Sequence, residues 1–284
     1  MKSHASVPIA AHLEKDDFRI YFSARDSLNR SHTGWLRIDL SVPNKIIDQS
    51  ASPVLSPGEL GAFDDSGAMS TWLVTRDRIR YLYYIGWNLG VTVPFRNAIG
   101  LAISNDGGEF RRYAIGPILD RSVSEPFFCA SCCVIPDDHR WRMWYLSCVG
   151  WSVADGKPRP HYHIKYAESN DGIHWSRDGT VAIDFAVPTE YAISRPAVVR
   201  DADRWRMWYS FKGASYRIGY AESLDGRHWV RRDQLAGIDV SVSGWDSEMI
   251  EYPFVFDHKG ERFMLYNGNG YGRTGFGLAV LESA

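Results

Sequence analysis

The stretch GWDSEMIEYPFVF, Gly244 to Phe256, places two carboxylates, Glu248 and Glu251, directly ahead of an apolar run that reads as a strand. Other apolar runs begin in the same way, after His4, after Asp64 and Asp65 in FDDSG, after Glu125 in SEPFF, and after Glu190 and Arg195 in EYAISRP. A single acid at a strand end is usually just hydrated, and a solvated rim would vary among Lys, Ser, Asn and Gly. This set is dominated by acids, with His and Arg. Carboxylates that face one ligand bind hydroxyls or move protons as acid and base. The set therefore reads as a functional pocket if the fold gathers its members.

Internal repeats supply that fold. RWRMWYLSCVGW, starting at Arg140, is echoed by RWRMWYSFKG from Arg204, and HIKYAESNDGIHW from His163 by RIGYAESLDGRHW from Arg217. Weaker copies bring the count to five units, each preceded by a further strand-like run. Aligning those runs on Pro8, Ser70, Cys132, Pro196 and Pro253 gives spacings of 62, 62, 64 and 57 residues. The runs are short, β-branched or aromatic, and closed by turns such as PDDHR, RDADR and FDHKGER, the signals of antiparallel meanders. Helical periodicity is nowhere sustained. The pattern predicts an all-β, five-bladed β-propeller, with blades of three to four antiparallel strands around a central channel. One domain spans 1–284, with blades at roughly 1–60, 61–122, 123–186, 187–243 and 244–284. The turns SNDGGEF, SNDGIHW and SLDGRHW read as structural hairpins whose aromatic residue packs between blades. Blade five has room for three strands only, so the ring is closed by a short last blade, by plain packing or by a second copy of the chain, and its edge could support a homo-oligomer.

In a propeller the inner-strand starts and the adjoining loops face one mouth. The ends of second strands and the starts of third strands add Arg25, Asp26, Trp87, Asn88, Arg96, His161, His163, Lys212, Asn267, Asn269 and Arg273 to the residues named above. Carboxylates, aromatic faces and several cations together fit a sugar that carries an anion, since Arg offers a bidentate fork to phosphate or carboxylate.

The bulk properties narrow the partners. The chain has 284 residues, 45% of them hydrophobic and 14% aromatic, with a formal net charge of -2. It shows no basic excess for nucleic acid or an anionic membrane. No apolar run reaches the length of a membrane span, and the start lacks a signal-peptide pattern, so the protein is expected to be cytoplasmic. Cys129, Cys132, Cys133 and Cys148 fall in one stretch, too clustered for a disulfide framework and without a second ligand pair for zinc. They read as buried core. No metal ligand set is expected.

On its five repeats, its SxDGxxW hairpins and the acids at its inner-strand starts, the chain resembles the five-bladed β-propeller glycosidases of glycoside hydrolase families 32, 43, 62, 117 and 130. The resemblance covers essentially the whole chain. It implies carboxylate acid/base chemistry on a glycosidic bond. Asp64 or Asp65 matches the second-blade acid that acts as base or nucleophile, and Glu125 lies near the general-acid position of the third blade. The first-blade aspartate is missing, His4 standing in its place. Glu251, read as facing the channel by strand alternation, becomes an alternative proton donor and Glu248 an auxiliary acid. Arg25, His163, Arg195 and Arg273 would bind substrate or anion. The resemblance also implies a phosphorylase as an alternative, and leaves room for a channel Ca²⁺ that no sequence spacing identifies. Two further readings stand beside it: a protein that processes an activated sugar in polysaccharide biosynthesis, and a non-catalytic sugar-binding propeller.

Overall fold

The computed structural model describes residues 1–282 except Asp106 and Asp138. Its strands form five antiparallel meanders in chain order. The first is β1 (Ser3–Glu14), β2 (Asp17–Arg25), β3 (Ser31–Asp39) and β4 (Ile46–Gln49). The second is β5 (Gly67–Arg76), β6 (Ile79–Leu89), β7 (Phe95–Asn105) and β8 (Arg111–Arg112). The third is β9 (Cys129–Pro136), β10 (Trp141–Ala154), β11 (Lys157–Ser169), β12 (Trp175–Ser176) and β13 (Val181–Ile183). The fourth is β14 (Ala192–Arg200), β15 (Trp205–Lys212), β16 (Tyr216–Ser223) and β17 (Val230–Arg231), and the last is β18 (Glu251–His258), β19 (Glu261–Asn267) and β20 (Phe276–Val280). The first strands pack in a ring, β1 on β5, β5 on β9, β9 on β14, β14 on β18 and β18 on β1. This is an all-β propeller.

The last meander has three strands, and it closes onto the first through side chains. Asn267 accepts the Val7 N–H at 3.1 Å, Phe18 packs on Phe256, and Asp16 takes both His258 and Lys259. The hairpin turns tie neighbouring meanders together. Ser169 and Asp171 bond the backbone of their own turn, and Tyr83 donates to the Gly172 carbonyl at 2.8 Å. One repeat on, Trp144 donates to the Gly226 carbonyl, also at 2.8 Å. The equivalent turn SNDGGEF contains Asp106 and the turn PDDHR contains Asp138, so each lies partly outside the described residues.

Each inner strand carries a β-bulge at the same place. The pairing registers skip between Ser6 and Ile9, Ser70 and Trp72, Ala130 and Cys132, Ser194 and Ala197, and Glu251 and Phe254. An extra residue breaks the two-residue alternation and re-aims a side chain. Three of the five sites are X-Pro steps whose first residue has positive φ: Val7 (54°), Arg195 (52°) and Tyr252 (57°). That conformation is strained for a residue other than glycine.

The acids ahead of the inner strands recur as buried latches. The Asp64 carboxylate accepts from Tyr84 Oη (3.1 Å) and Arg112 Nε (2.8 Å). Glu125 accepts from Tyr145, Ser147 and Arg177, with Lys165 at 3.5 Å. Glu190 pairs with Arg231 at 2.7 Å, and Asp246 accepts from Tyr266 at 3.0 Å. In three of the four the tyrosine lies 20 residues beyond the acid, on the second strand of its own meander. The four cysteines are buried and unpaired.

Candidate functional site

The bulges open into a cleft of about 790 Å³ at one mouth of the channel. Val7, Ser131, Arg195 and Tyr252 are the bulge residues that line it. Arg195 is fully buried and lies across the channel. Its guanidinium donates to the Pro8 carbonyl at 3.0 Å, to Thr71 Oγ1 at 2.7 Å and to the Thr71 carbonyl, while its own N–H is held by Ser131. These acceptors are neutral, and burial pulls the Arg195 pKa down to about 10. Its Nε has no hydrogen-bond acceptor among the described residues.

One wall is aromatic and built around a lysine. Lys212, at the end of β15, donates to the Tyr271 hydroxyl at 2.8 Å. Its ammonium stands 5.0 Å from the ring centre of Tyr216, 5.3 Å from that of Tyr271 and 5.8 Å from that of Tyr191. Burial works against this charge, yet the bond to Tyr271 holds the Lys212 pKa above its ordinary value. Tyr271 is aimed by a left-handed turn, with φ of 64°, 62° and 80° at Gly270, Tyr271 and Gly272. A side chain at Gly272 would meet the Ala5 carbonyl at 2.6 Å, so the close approach of turn and β1 requires glycine there. Tyr162 and Tyr216 touch through their hydroxyls at 2.5 Å. Arg25, Trp87, Asn97 and Phe128 also line the cleft. Arg25 donates to Asn29 at 2.8 Å, and burial lowers its pKa. Arg25, Arg195 and Lys212 have no carboxylate within salt-bridge distance among the described residues. Asp155 is the only acid among the described residues lining the cleft.

Glu251 sits directly behind the wall. It is 0% exposed, and neither carboxylate oxygen has a hydrogen-bond donor of good geometry among the described residues. Burial pushes its pKa up to about 8, against the opposing influence of Asn267, Lys212 and Tyr252. Strand alternation assigned Glu251 to the channel. The bulge at Tyr252–Pro253 overturns that reading, because the extra residue turns Tyr252 into the cleft and leaves Glu251 behind it.

Of the sequence candidates, the structure brings Arg25, Trp87, Arg195 and Lys212 to the cleft lining, with Glu251 and Asn267 packed behind it. His4 lies beside Arg25 and Arg273, and burial followed by those two charges lowers its pKa. The others are placed elsewhere. Asp64, Glu125 and Glu190 are in the latches, and Asp65 accepts from the Gly61 N–H and the Ser66 hydroxyl. Asp26 binds Arg30 and His32. His161 contacts Ser152, and His163 contacts Asp184. Asn269 accepts the N–H groups of Glu248 and Met249, organising the loop before β18. Asn88, Arg96, Glu248 and Arg273 are outside the lining. Sequence reasoning missed Val7, Ser131, Tyr162, Tyr191 and Tyr252. The signal that could have found some of them is the recurrence of Val-Pro, Arg-Pro and Tyr-Pro at one repeat register.

Solved structures share this architecture. A thermostable family-43 glycoside hydrolase aligns with a TM-score of 0.72 at 16% identity, covering 98% of this chain and 89% of that one. A glycosyl hydrolase from Bacteroides ovatus gives 0.73 at 14% identity, over 98% and 84% of the two chains. The Bombyx mori GH32 β-fructofuranosidase BmSUC1 gives 0.69 at 15% identity, over 98% and 61%. The class is thereby defined: a β-propeller with the fold of glycoside hydrolases. No family model matches the chain. The uncharacterized proteins Rv1502 and MT1551 of Mycobacterium tuberculosis (strains H37Rv and CDC 1551) are each 49% identical to it over 282 residues, covering 99% of this chain and 94% of theirs. The chain belongs to their family.

Proposed function

We propose that this propeller is a carbohydrate-active enzyme of glycoside-hydrolase type that cleaves or transfers a glycosidic bond of a small anionic sugar or sugar conjugate. The observation that carries the reading is the group of three cleft cations, Arg25, Arg195 and Lys212, without carboxylate partners among the described residues and set among aromatic faces. Uncompensated cations in a concave site favour an anion, and tyrosine and tryptophan faces suit the apolar face of a sugar ring. Glu251 keeps its proton at neutral pH and is the proton reservoir of this site. Tyr162 and Tyr216, which line the cleft and touch through their hydroxyls, are close enough to Glu251 for its ionisation to influence theirs.

A specific observation favours phosphorolysis as the second reading. Hydrolysis by paired carboxylates needs two facing carboxyl groups roughly 5–10 Å apart. Of the acids expected to form such a pair, Asp64 and Glu125 are engaged in latches, Asp65 is bonded to its own loop and Glu251 is buried behind the wall, whereas an inorganic phosphate nucleophile needs cations and one acid. In that reaction a phosphate oxygen bonds to the anomeric carbon, the carbon–oxygen bond to the leaving group breaks, and the leaving oxygen takes the proton. The test is turnover of a panel of nitrophenyl glycosides and sugar conjugates, with and without inorganic phosphate. Glu251→Gln is expected to abolish turnover in a folded protein. Unchanged turnover in that variant would remove Glu251 from the mechanism, and turnover independent of phosphate would remove phosphorolysis.

A further inference from the structure

The β10–β11 hairpin is longer than any other in the fold. Its two strands stay paired out to Ala154 and Lys157, whereas β9 leaves β10 at Ser147. Beyond Cys148 and Tyr162, which still bond to Phe128 and Tyr191, the hairpin is a two-stranded arm, closed by a tight turn with left-handed Asp155 (φ 52°) and Gly156 (φ 71°). Its tip, Ala154 to Pro160, lines the cleft. Pro158 and Pro160 lack an N–H, which blunts the arm as an edge for strand pairing and leaves it a wall. Between them, the Arg159 guanidinium lies over the Tyr191 ring at 4.8 Å, and Lys212 faces the same ring at 5.8 Å. Asp155, the acid nearest Arg159, is 3.9 Å away with its side chain 97% exposed, so water largely screens it.

The geometry points to a second anion subsite at the cleft mouth, formed by Arg159 of the arm and Lys212 of the wall, both against the Tyr191 ring, that takes a phosphoryl group. Stacking on Tyr191 restricts the Arg159 fork before a ligand arrives, which reduces the ordering cost of binding. Arg159 thus adds to the cations Arg25, Arg195 and Lys212 that line the same cleft. This inference rests on the proposed anionic-sugar reading and deepens it.

The phosphoryl group could be free phosphate or one carried by the sugar conjugate, and calorimetric titration with inorganic phosphate and with glucose 6-phosphate separates them. Arg159→Ala is expected to weaken binding about tenfold or more, with thermal unfolding unchanged because the side chain is on the exposed arm. Loss for both probes marks free phosphate as the occupant, and loss for glucose 6-phosphate alone marks the conjugate. Wild-type affinity for both probes in Arg159→Ala overturns the subsite. If Arg25→Ala weakens binding in that case, the proposed function survives without it. Failure of the wild-type protein to bind either probe removes both.

Discussion

Replacing Glu251 with glutamine tests the most unusual group of the site through folding as well as turnover. In the unfolded chain this carboxyl loses its proton near 4.5, while in the folded protein burial holds the proton until about pH 8. Between those values the folded state binds more protons than the unfolded state, so stability falls as pH rises. The stability is fully present below 4.5, is lost progressively up to pH 8, and changes no further above it. Each pKa unit corresponds to about 1.4 kcal/mol, so wild type at pH 8 carries a penalty on the order of 4 kcal/mol. Glutamine keeps the shape without the charge and escapes it. At roughly 2–4 °C per kcal/mol for a large domain, Glu251→Gln is expected to melt about 10 °C above wild type at pH 8 and close to it at pH 5. Thermal unfolding across that range measures the gap, and the other titrating groups cancel because both proteins contain them. A gap that does not change with pH, or a variant less stable than wild type at pH 8, would refute the reasoning. A variant that gains stability while losing turnover would identify the buried acid as a functional cost of the fold.

Three further outcomes follow from other parts of the molecule. Arg112→Ala leaves the Asp64 carboxylate, 1% exposed, without its cation, and should cost about 3–5 kcal/mol in denaturant unfolding, with partial recovery in the Asp64→Asn, Arg112→Ala double variant. Gly272→Ala drives a methyl against the Ala5 carbonyl at a positive φ, and should destabilise by more than about 1 kcal/mol and weaken phosphate binding by displacing Tyr271, as titration would show. The cysteines should not react with a thiol reagent in the native protein and should all react in denaturant. Their burial pushes the Cys129 thiol up to about 12 and Cys148 up to about 11, and a native thiol reacting at pH 8 would contradict that burial.

The propeller was legible because its repeats are written in apolar side chains and turn residues, which act locally and recur at a fixed register. RWRMWY, YAES and DGxHW mark the second strands, third strands and hairpins of the third and fourth meanders, and Trp144 on the Gly226 carbonyl shows why the aromatic residue recurs. The site was legible only in part. Arg25, Trp87, Arg195 and Lys212 were found from polarity at the mouth. Asp64, Glu125 and Glu190 were marked by the same criterion, yet they bond to tyrosines and arginines of outer strands. Polarity at a strand start does not distinguish a group aimed at ligand from one buried against a partner. The partner spacing carries that information: an acid followed 20 residues later by tyrosine occurs at Asp64, Glu125 and Asp246. The bulges were hidden for a different reason. Alternation assumes one residue per pleat step, and an added residue reverses every assignment beyond it, which is how Tyr252 came to occupy the place expected of Glu251.

That reversal bears on how such a fold acquires its chemistry. The five bulges form a ring of structurally equivalent positions occupied by Val7, Thr71, Ser131, Arg195 and Tyr252, and each position is defined by backbone geometry, largely independent of the side chain it carries. The latches tie each meander together and the hairpin turns bind blade to blade, both through residues outside this ring. Here the ring contains no carboxylate. It contains a guanidinium bonded to Pro8 and Thr71 across the channel, and a tyrosine with a protonated carboxyl behind it. With the acids of the latches committed to stability and Asp155 on the exposed arm, the proposed acid/base chemistry draws on Glu251. The charge of the ligand, and not a second carboxylate, would then complete the reacting set. This is why anion binding and the protonation of Glu251 should fail or succeed together with turnover.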